Sequence, residues 1–260
     1  MRLSKAGCRL RLFGWALLLG SALILLSQPR WMFQIATQLR PGAIYAFELP
    51  VSPRPPKVVA LTIDDGPSEA TAEILSVLDR YGVTATFFNI SGNLPGHEPT
   101  VHEAIAAGHE LGNHLTADEP SIRLSPADFE TDLLTAEKAL LPYLNQGIQN
   151  KGAPPSGPSR LRWLRPGMGF YNAQMVATAE KHGYQLVLGS NFPYDTHILS
   201  SRFASVFVTR TIQPGDIIVL HDGQGRGPRT VATLERILPA LQAKGYTVTT
   251  VTALEEMSLF

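Results

Sequence analysis

The stretch Val58-Val59-Ala60-Leu61-Thr62-Ile63-Asp64-Asp65-Gly66-Pro67 decides the fold class. An unbroken apolar and β-branched run of this length reads as a strand buried on both faces, which is the habit of parallel sheets. It ends in two carboxylates and a Gly-Pro turn, and a helical pattern follows at once. Ala72, Ile74, Leu75 and Leu78 fall on one face of a helix over Ser68–Tyr81, with Ser68 as its N-cap. Strand followed by helix then recurs. Strands are predicted at Thr84–Ile90, His109–Gly112, Arg162–Leu164, Leu186–Gly189, Asp216–Leu220 and Thr247–Val251. Helices are predicted near Pro99–Ala107, Ser125–Leu144, Asn172–His182 and Pro228–Lys244, with Ser125-Pro126 as cap and first position of the longest. The segment 146–159 is rich in Gly, Pro and Ser and reads as a loop. Alternating units of this kind build right-handed crossovers and a mostly parallel α/β sheet, either a barrel or an open doubly wound sheet. In both, ligands bind at the carboxyl ends of the strands.

Composition narrows the function. Lys plus Arg and Asp plus Glu are both 22, a formal net charge of zero, so no basic surface for nucleic acid is expected. Cys8 is the sole cysteine, which excludes a disulfide framework and a Cys-rich metal site. The first residues differ from the rest. Arg2, Lys5, Arg9 and Arg11 precede an apolar run from Leu12 to Leu26, and the chain can prolong it through Trp31, Met32 and Phe33. A basic segment followed by an apolar one is a secretory signal or an uncleaved signal anchor. No small-x-small cleavage site follows Leu26, so residues 1–33 are expected to form an anchor helix. The remainder of the chain would then lie outside the cytoplasm, or be secreted if the segment is cut. Residues 34–56, ending in Pro50-Val51-Ser52-Pro53-Arg54-Pro55-Pro56, read as a Pro-rich spacer, and residues 57–260 as the catalytic domain.

Polar clusters close the predicted strands. On an extended strand Asp64 and Asp65 face opposite ways, so one can ligate a metal while the other takes a proton from water. His114 and Asp118 share i, i+4 spacing within Gly108-His109-Glu110-Leu111-Gly112-Asn113-His114-Leu115-Thr116-Ala117-Asp118, and one helical turn would bring both onto one ion. Arg165 in Arg165-Pro166-Gly167-Met168-Gly169 suits bidentate orientation of a carboxylate. Asp195 is an acid able to tune a nearby histidine. His221 ends the strand Ile217-Ile218-Val219-Leu220, where it can act as a general acid. Each cluster alone has a bland reading as a cap, a salt bridge or a buried hydrogen bond; together, at strand ends of one domain, they converge.

In order, these residues resemble the motifs of the polysaccharide deacetylases, the carbohydrate esterase family of chitin and peptidoglycan deacetylases. Thr62-Ile63-Asp64-Asp65-Gly66-Pro67 resembles the first motif, Gly108 to His114 the second, Arg165-Pro166-Gly167-Met168-Gly169 the third and Leu220-His221 the fifth. The resemblance covers about residues 57–252. It implies a distorted, incomplete (β/α) barrel holding one divalent ion, usually zinc, with cobalt or manganese as alternatives. It also implies a hydrolase that removes N- or O-linked acetyl groups from a polysaccharide. Asp64 would be the base, Asp65 and His114 metal ligands, His221 the acid, Arg165 the residue holding Asp64, and Asp195 the residue setting the pKa of His221. A backbone N–H following Tyr171 would help hold the oxyanion. Two departures stand out: Asp118 occupies the place of the family's second histidine, and the fourth motif, around Asp195, is poorly matched. The expected partners are a polysaccharide and, through the N-terminal helix, a membrane. Trp163, Phe170, Tyr171, Phe192 and Tyr194 are candidates to stack on sugar rings. The competing readings are hydrolysis of a non-carbohydrate amide and a glycan-binding module without activity.

Overall fold

The computed structural model describes residues 20, 24, 27–50, 56–149 and 160–259. Its strands are β1 (Ala43–Ile44), β2 (Val58–Gly66), β3 (Thr86–Asn89), β4 (Glu110–Asn113), β5 (Trp163–Leu164), β6 (Gln185–Val187), β7 (Ile217–His221) and β8 (Thr247–Thr249). The helices are α1 (Arg30–Leu39), α2 (Thr71–Arg80), α3 (Glu98–Ala106), α4 (Pro126–Gln149), α5 (Ala173–Lys181), α6 (Ser201–Thr211), α7 (Gly227–Ala243) and α8 (Val251–Ser258). The strands order as β1-β6-β5-β4-β3-β2-β7, with β8 also pairing β2, and each pairing is parallel. The α/β parallel sheet predicted from the strand–helix alternation is therefore present. Its far strands are also brought together. The chain leaving β6 donates Leu188 N–H to Ile44 O, then bridges to β7 through Asn191 and Ile218.

Residues alternate between two sides of this curved sheet. Val59, Leu61 and Ile63 of β2 face the helices and join Ile74, Leu78, Phe87 and Leu133 in the larger core. Val58 and Ala60 face inward, where Phe88, Trp163, Val187 and Ile217 form a second core. Gly112 on β4 is required by this inner packing, because a Cβ there would stand 2.5 Å from the Phe88 ring. The same inward parity carries upward to Thr62 and Asp64 on β2, His114 beyond β4, Arg165 beyond β5, and Val219 and His221 on β7. The strand ends thus deliver one set of polar side chains to one place.

The segment expected as a spacer behaves otherwise over its described part. Residues 30–39 form α1, Ala43 and Ile44 join the sheet, and Phe47 is buried in the inner core. Arg30 Nη2 donates to Phe47 O at 3.0 Å, and Phe47 N–H donates to Gly215 O. The sheet therefore draws on residues ahead of Lys57, because Ala43, Ile44 and Phe47 find an open sheet edge to cover. Residues 51–55 of the Pro-rich stretch lie outside the described residues. So does most of the predicted anchor, at 1–19, 21–23 and 25–26. Its suggested prolongation through Trp31 does not occur: Gln28 takes φ 45° and Pro29 is extended before α1 begins. Among the described residues, no helix is long and apolar enough to cross a membrane.

Local capping differs in detail from expectation. Ser68 does not cap α2; its hydroxyl donates to Asp222 Oδ1 at 2.6 Å and accepts from Ala70 N–H. Ser125 does cap α4, accepting from Asp128 N–H at 3.2 Å. The strand at 109 starts one residue later, and His109 packs edge-on against Phe87 with Nδ1 accepting from Ala85 N–H. Burial pushes His109 down to about 4, against a weaker upward pull from Asp79. The sign follows directly: the unfolded chain binds the proton below its ordinary pKa near 6.5 while the fold resists it until about 4. Stability is full above pH 6.5 and falls between those values, by up to about 3 kcal/mol. Urea titrations at pH 7 and pH 4 should show this loss in the parent and a smaller one in His109→Asn.

Candidate active site

Asp64 and Asp65 do not face opposite ways in function. The β2–β3 register passes from Asp64↔Phe88 to Gly66↔Asn89, leaving Asp65 as an extra residue with φ 65°. This bulge in a left-handed conformation turns Asp65 back, so both carboxylates reach the same cleft. Close packing holds the bulge. A Cβ on Gly223 would lie 2.6 Å from Asp65 Cβ, and Asn93 Nδ2 donates to Asp65 O at 2.9 Å. Gly223→Ala should displace Asp65 and lower activity by on the order of 10²-fold with little change in the fold's content of secondary structure, as circular dichroism would report.

The cleft, with a volume of about 520 Å³, is lined by Asp64, Asp65, His114, Arg165 and His221 together with Asp118 and Arg226. It lies within the range of ligand sites. Arg165 is buried and spans several groups. Nε donates to Val187 O at 2.9 Å, and Nη1 donates to Thr62 Oγ1 at 2.7 Å and to Asp64 Oδ1 at 2.5 Å, while the guanidinium lies 4.1 Å from the Phe88 ring centroid. One Asp64 oxygen is thereby fixed. The other, Oδ2, stands 4.0 Å from His221 Nε2, too far for a direct hydrogen bond and open to a bridging atom. Asp195 sits behind His221. Its carboxylate accepts from His221 N–H at 3.0 Å and faces Nδ1 at 3.0 Å, so Nδ1–H points backward and Nε2 forward. Burial alone would push His221 down. The adjacent Asp195 charge and hydrogen bond, with Asp64 and Asp65, outweigh it and raise the imidazole above its ordinary value.

Asp65 and His114 form the second pair, with Oδ1 and Nε2 3.2 Å apart and His114 Nδ1 held 2.7 Å from Arg165 O. In the neutral ring, donation from Nδ1–H to that carbonyl leaves Nε2 as an acceptor for an ion; in the protonated ring Nε2–H donates to Asp65 Oδ1 instead. Two ligands about 2.1 Å from one tetrahedral ion stand roughly 3.4 Å apart, close to this separation. Burial opposes the charge on Asp65, yet the His114 hydrogen bond, with the charges of His114, His221 and Arg226, keeps it below the usual carboxylate range. His114 is correspondingly raised despite its burial, chiefly by Asp65. The third expected ligand does not join them. Asp118 Oδ2 accepts from Gln224 Nε2 at 2.5 Å, and among the described residues no three His, Cys, Asp or Glu side chains are grouped to hold an ion. The i, i+4 argument fails because residues 114–118 are not helical; Leu115 takes φ 65° and turns the chain outward. Arg226 was missed from the sequence. Its Nη1 donates to Asp65 Oδ2 at 2.5 Å, and its Nη2 lies 3.8 Å from Asp118. Its only signal was a charge inside the Gly-rich segment Asp222 to Pro228 after Leu220-His221.

Residues 52–187 match the family model for polysaccharide deacetylase. The chain belongs to the polysaccharide deacetylase family. That match includes Asp64, Asp65, His114, Asp118 and Arg165 and ends before Asp195, His221 and Arg226. A Bacillus cereus protein named peptidoglycan-N-acetylglucosamine deacetylase is 30% identical over 220 residues, covering 84% of this chain and 95% of the relative. A Bradyrhizobium chitooligosaccharide deacetylase is 31% identical over 208 residues, covering 73% and 87%. The crystal structure of the Xyl-CE4 domain of a multidomain xylanase from the hindgut metagenome of Trinervitermes trinervoides superposes with TM-score 0.66 at 28% identity, over 77% of this chain and 90% of that one. Within this polysaccharide deacetylase, the expected aromatic platform is smaller than the sequence suggests. Trp163 is fully buried and bonded to Glu110, and Tyr171 is buried with its hydroxyl on Arg40 O. Phe170 and Phe192 line the cleft, Phe170 being 56% exposed. Asn172, the residue after Tyr171, caps α5 by accepting from Met175 N–H, and neither lines the cleft.

Proposed function

We propose that this polysaccharide deacetylase hydrolyses N- or O-linked acetyl groups of an envelope glycan such as peptidoglycan or a chitin-like polymer. We further propose that it works outside the cytoplasm, with its basic and apolar N-terminal segment at the membrane. The facing pair Asp64 Oδ2 and His221 Nε2 carries the reading, supported by the named activities of the similar deacetylases. A water between them gives its proton to Asp64 as its oxygen attacks the acetyl carbon. The tetrahedral species collapses when protonated His221 passes its Nε2 proton to the leaving nitrogen or oxygen, releasing acetate and the deacetylated sugar. Arg165 holds Asp64 against rotation, and Phe170 with Met168, 60% exposed, offers an apolar rim for a sugar face. The donor set as arranged does not complete a metal site, so no step is assigned to an ion. Acetate released from N-acetylated chitooligosaccharides and from peptidoglycan by the full chain tests the proposal; no acetate from either would reject it.

Protonated His221 is the competent acid, so kcat/KM should fall as pH rises through its raised pKa. Asp195→Asn removes the leading upward influence, and the alkaline limb should move to lower pH. An unmoved limb would assign that limb to another group. A second reading, glycan binding without turnover, draws support from Arg226 in the place where a cation is expected. Glycan retention without acetate release would favour it.

A further inference from the structure

The loop from Asp222 to Gly227 is built to deliver one side chain. Gln224 and Gly225 take φ 52° and 71°, Arg226 N–H donates to Gly223 O, and Gly227 N–H donates to Asp222 O. Asp222 is fully buried, its carboxylate bonded to Ser68 and Thr71. A Cβ on Gly227 would stand 2.3 Å from Ala70 Cβ, so the end of the loop packs directly against the start of α2 and only glycine fits there. This closed turn places Arg226, with its side chain mostly buried, against Asp65 Oδ2 at 2.5 Å. The same guanidinium donates from Nη2 to Gln224 Oε1 at 2.8 Å, and Gln224 in turn holds Asp118. One cation therefore lies at both carboxylates that the sequence assigns to a metal, and the amide beside it ties up the second.

We propose that Arg226 is the resident cation of this cleft, and that a divalent ion binds Asp65 and His114 only in competition with it. Asp65 Oδ1 and His114 Nε2 keep a separation suited to an ion, but a dication beside them meets the guanidinium charge across a short, poorly hydrated gap. An ion seeking Asp118 as its third ligand must also break the Gln224 hydrogen bond. Binding thus requires the Arg226 and Gln224 pair to swing away, which weakens affinity without altering the ligands themselves. The inference concerns metal affinity and does not depend on which acyl substrate the cleft takes.

Calorimetric titration of the full chain in detergent with Zn²⁺ alone tests it. Arg226→Met should bind zinc on the order of tenfold or more tighter than the parent. Gln224→Ala, which frees Asp118 while leaving the backbone turn, should tighten it by a smaller factor, and Asp65→Asn added to Arg226→Met should abolish the gain. Equal or weaker zinc affinity in Arg226→Met and in Gln224→Ala, with thermal transitions like the parent's, overturns the proposal. Should Arg226→Met fail to fold, the Gln224→Ala titration decides alone. Acetate release measured on the same samples separates the two readings. Tightened zinc binding in Arg226→Met with no acetate release from the parent rejects the deacetylase assignment only, and acetate release from the parent with unchanged zinc affinity in the variants rejects the Arg226 assignment only.

Discussion

Replacing Asp64 by Asn lowers kcat/KM for acetate release by roughly 10³-fold, within the range attributed to a single general base. The substitution keeps the side chain's shape, and its carbonyl oxygen still accepts from Arg165 Nη1, so the fold survives. What is lost is the oxygen facing His221 across 4.0 Å as a proton acceptor. The loss should appear in kcat more than in KM, because Asp64 acts on the water rather than on the sugar. A variant retaining a tenth or more of parental turnover would show that another group takes the proton, and would remove Asp64 from the mechanism.

The second large effect lies in Arg165→Met, which strikes both stability and turnover. Arg165 is buried, and its guanidinium is the cation bonded to Asp64. Its removal leaves Asp64 buried without that partner, which costs about 3–5 kcal/mol. For a chain of this size that corresponds to a drop in Tm of roughly 10 °C. Turnover should fall by on the order of 10²-fold as well, since Asp64 loses the bond that aims it. The double variant Asp64→Asn with Arg165→Met should be less unstable than the two single losses added together, by roughly 1–3 kcal/mol of coupling. Additive losses would mean that Arg165 supports the fold through Val187, Thr62 and Phe88 alone.

Much of this was legible before any coordinates. The apolar run from Val58 to Ile63 specified a buried strand through its shortness, its β-branched residues and the Gly-Pro that follows, and its alternation with segments of helical period specified the α/β sheet. Asp64, His114, Arg165 and His221 were legible because each closes a predicted strand and falls in a motif resembling the family's. Other elements were illegible locally. Ala43–Ile44 is too short to announce a strand, and it becomes one only because β6 offers an edge. Ser201–Thr211 carries several β-branched residues that speak against a helix, and α6 forms through the Ser200 cap and the burial of Ala204, Phe207 and Val208.

The sequence by itself determined the layered fold, the family and the set of strand-end residues, since these follow from period, motif and composition. Only the tertiary structure decided that Asp65 turns back beside Asp64 through a left-handed bulge. It also drew Asp118 away from His114 to Gln224, and brought Arg226, 161 residues distant from Asp65 in the chain, onto that carboxylate. Those three outcomes rest on backbone dihedrals that break simple alternation and on contacts between remote loops. Neither leaves a periodic trace in the order of residues.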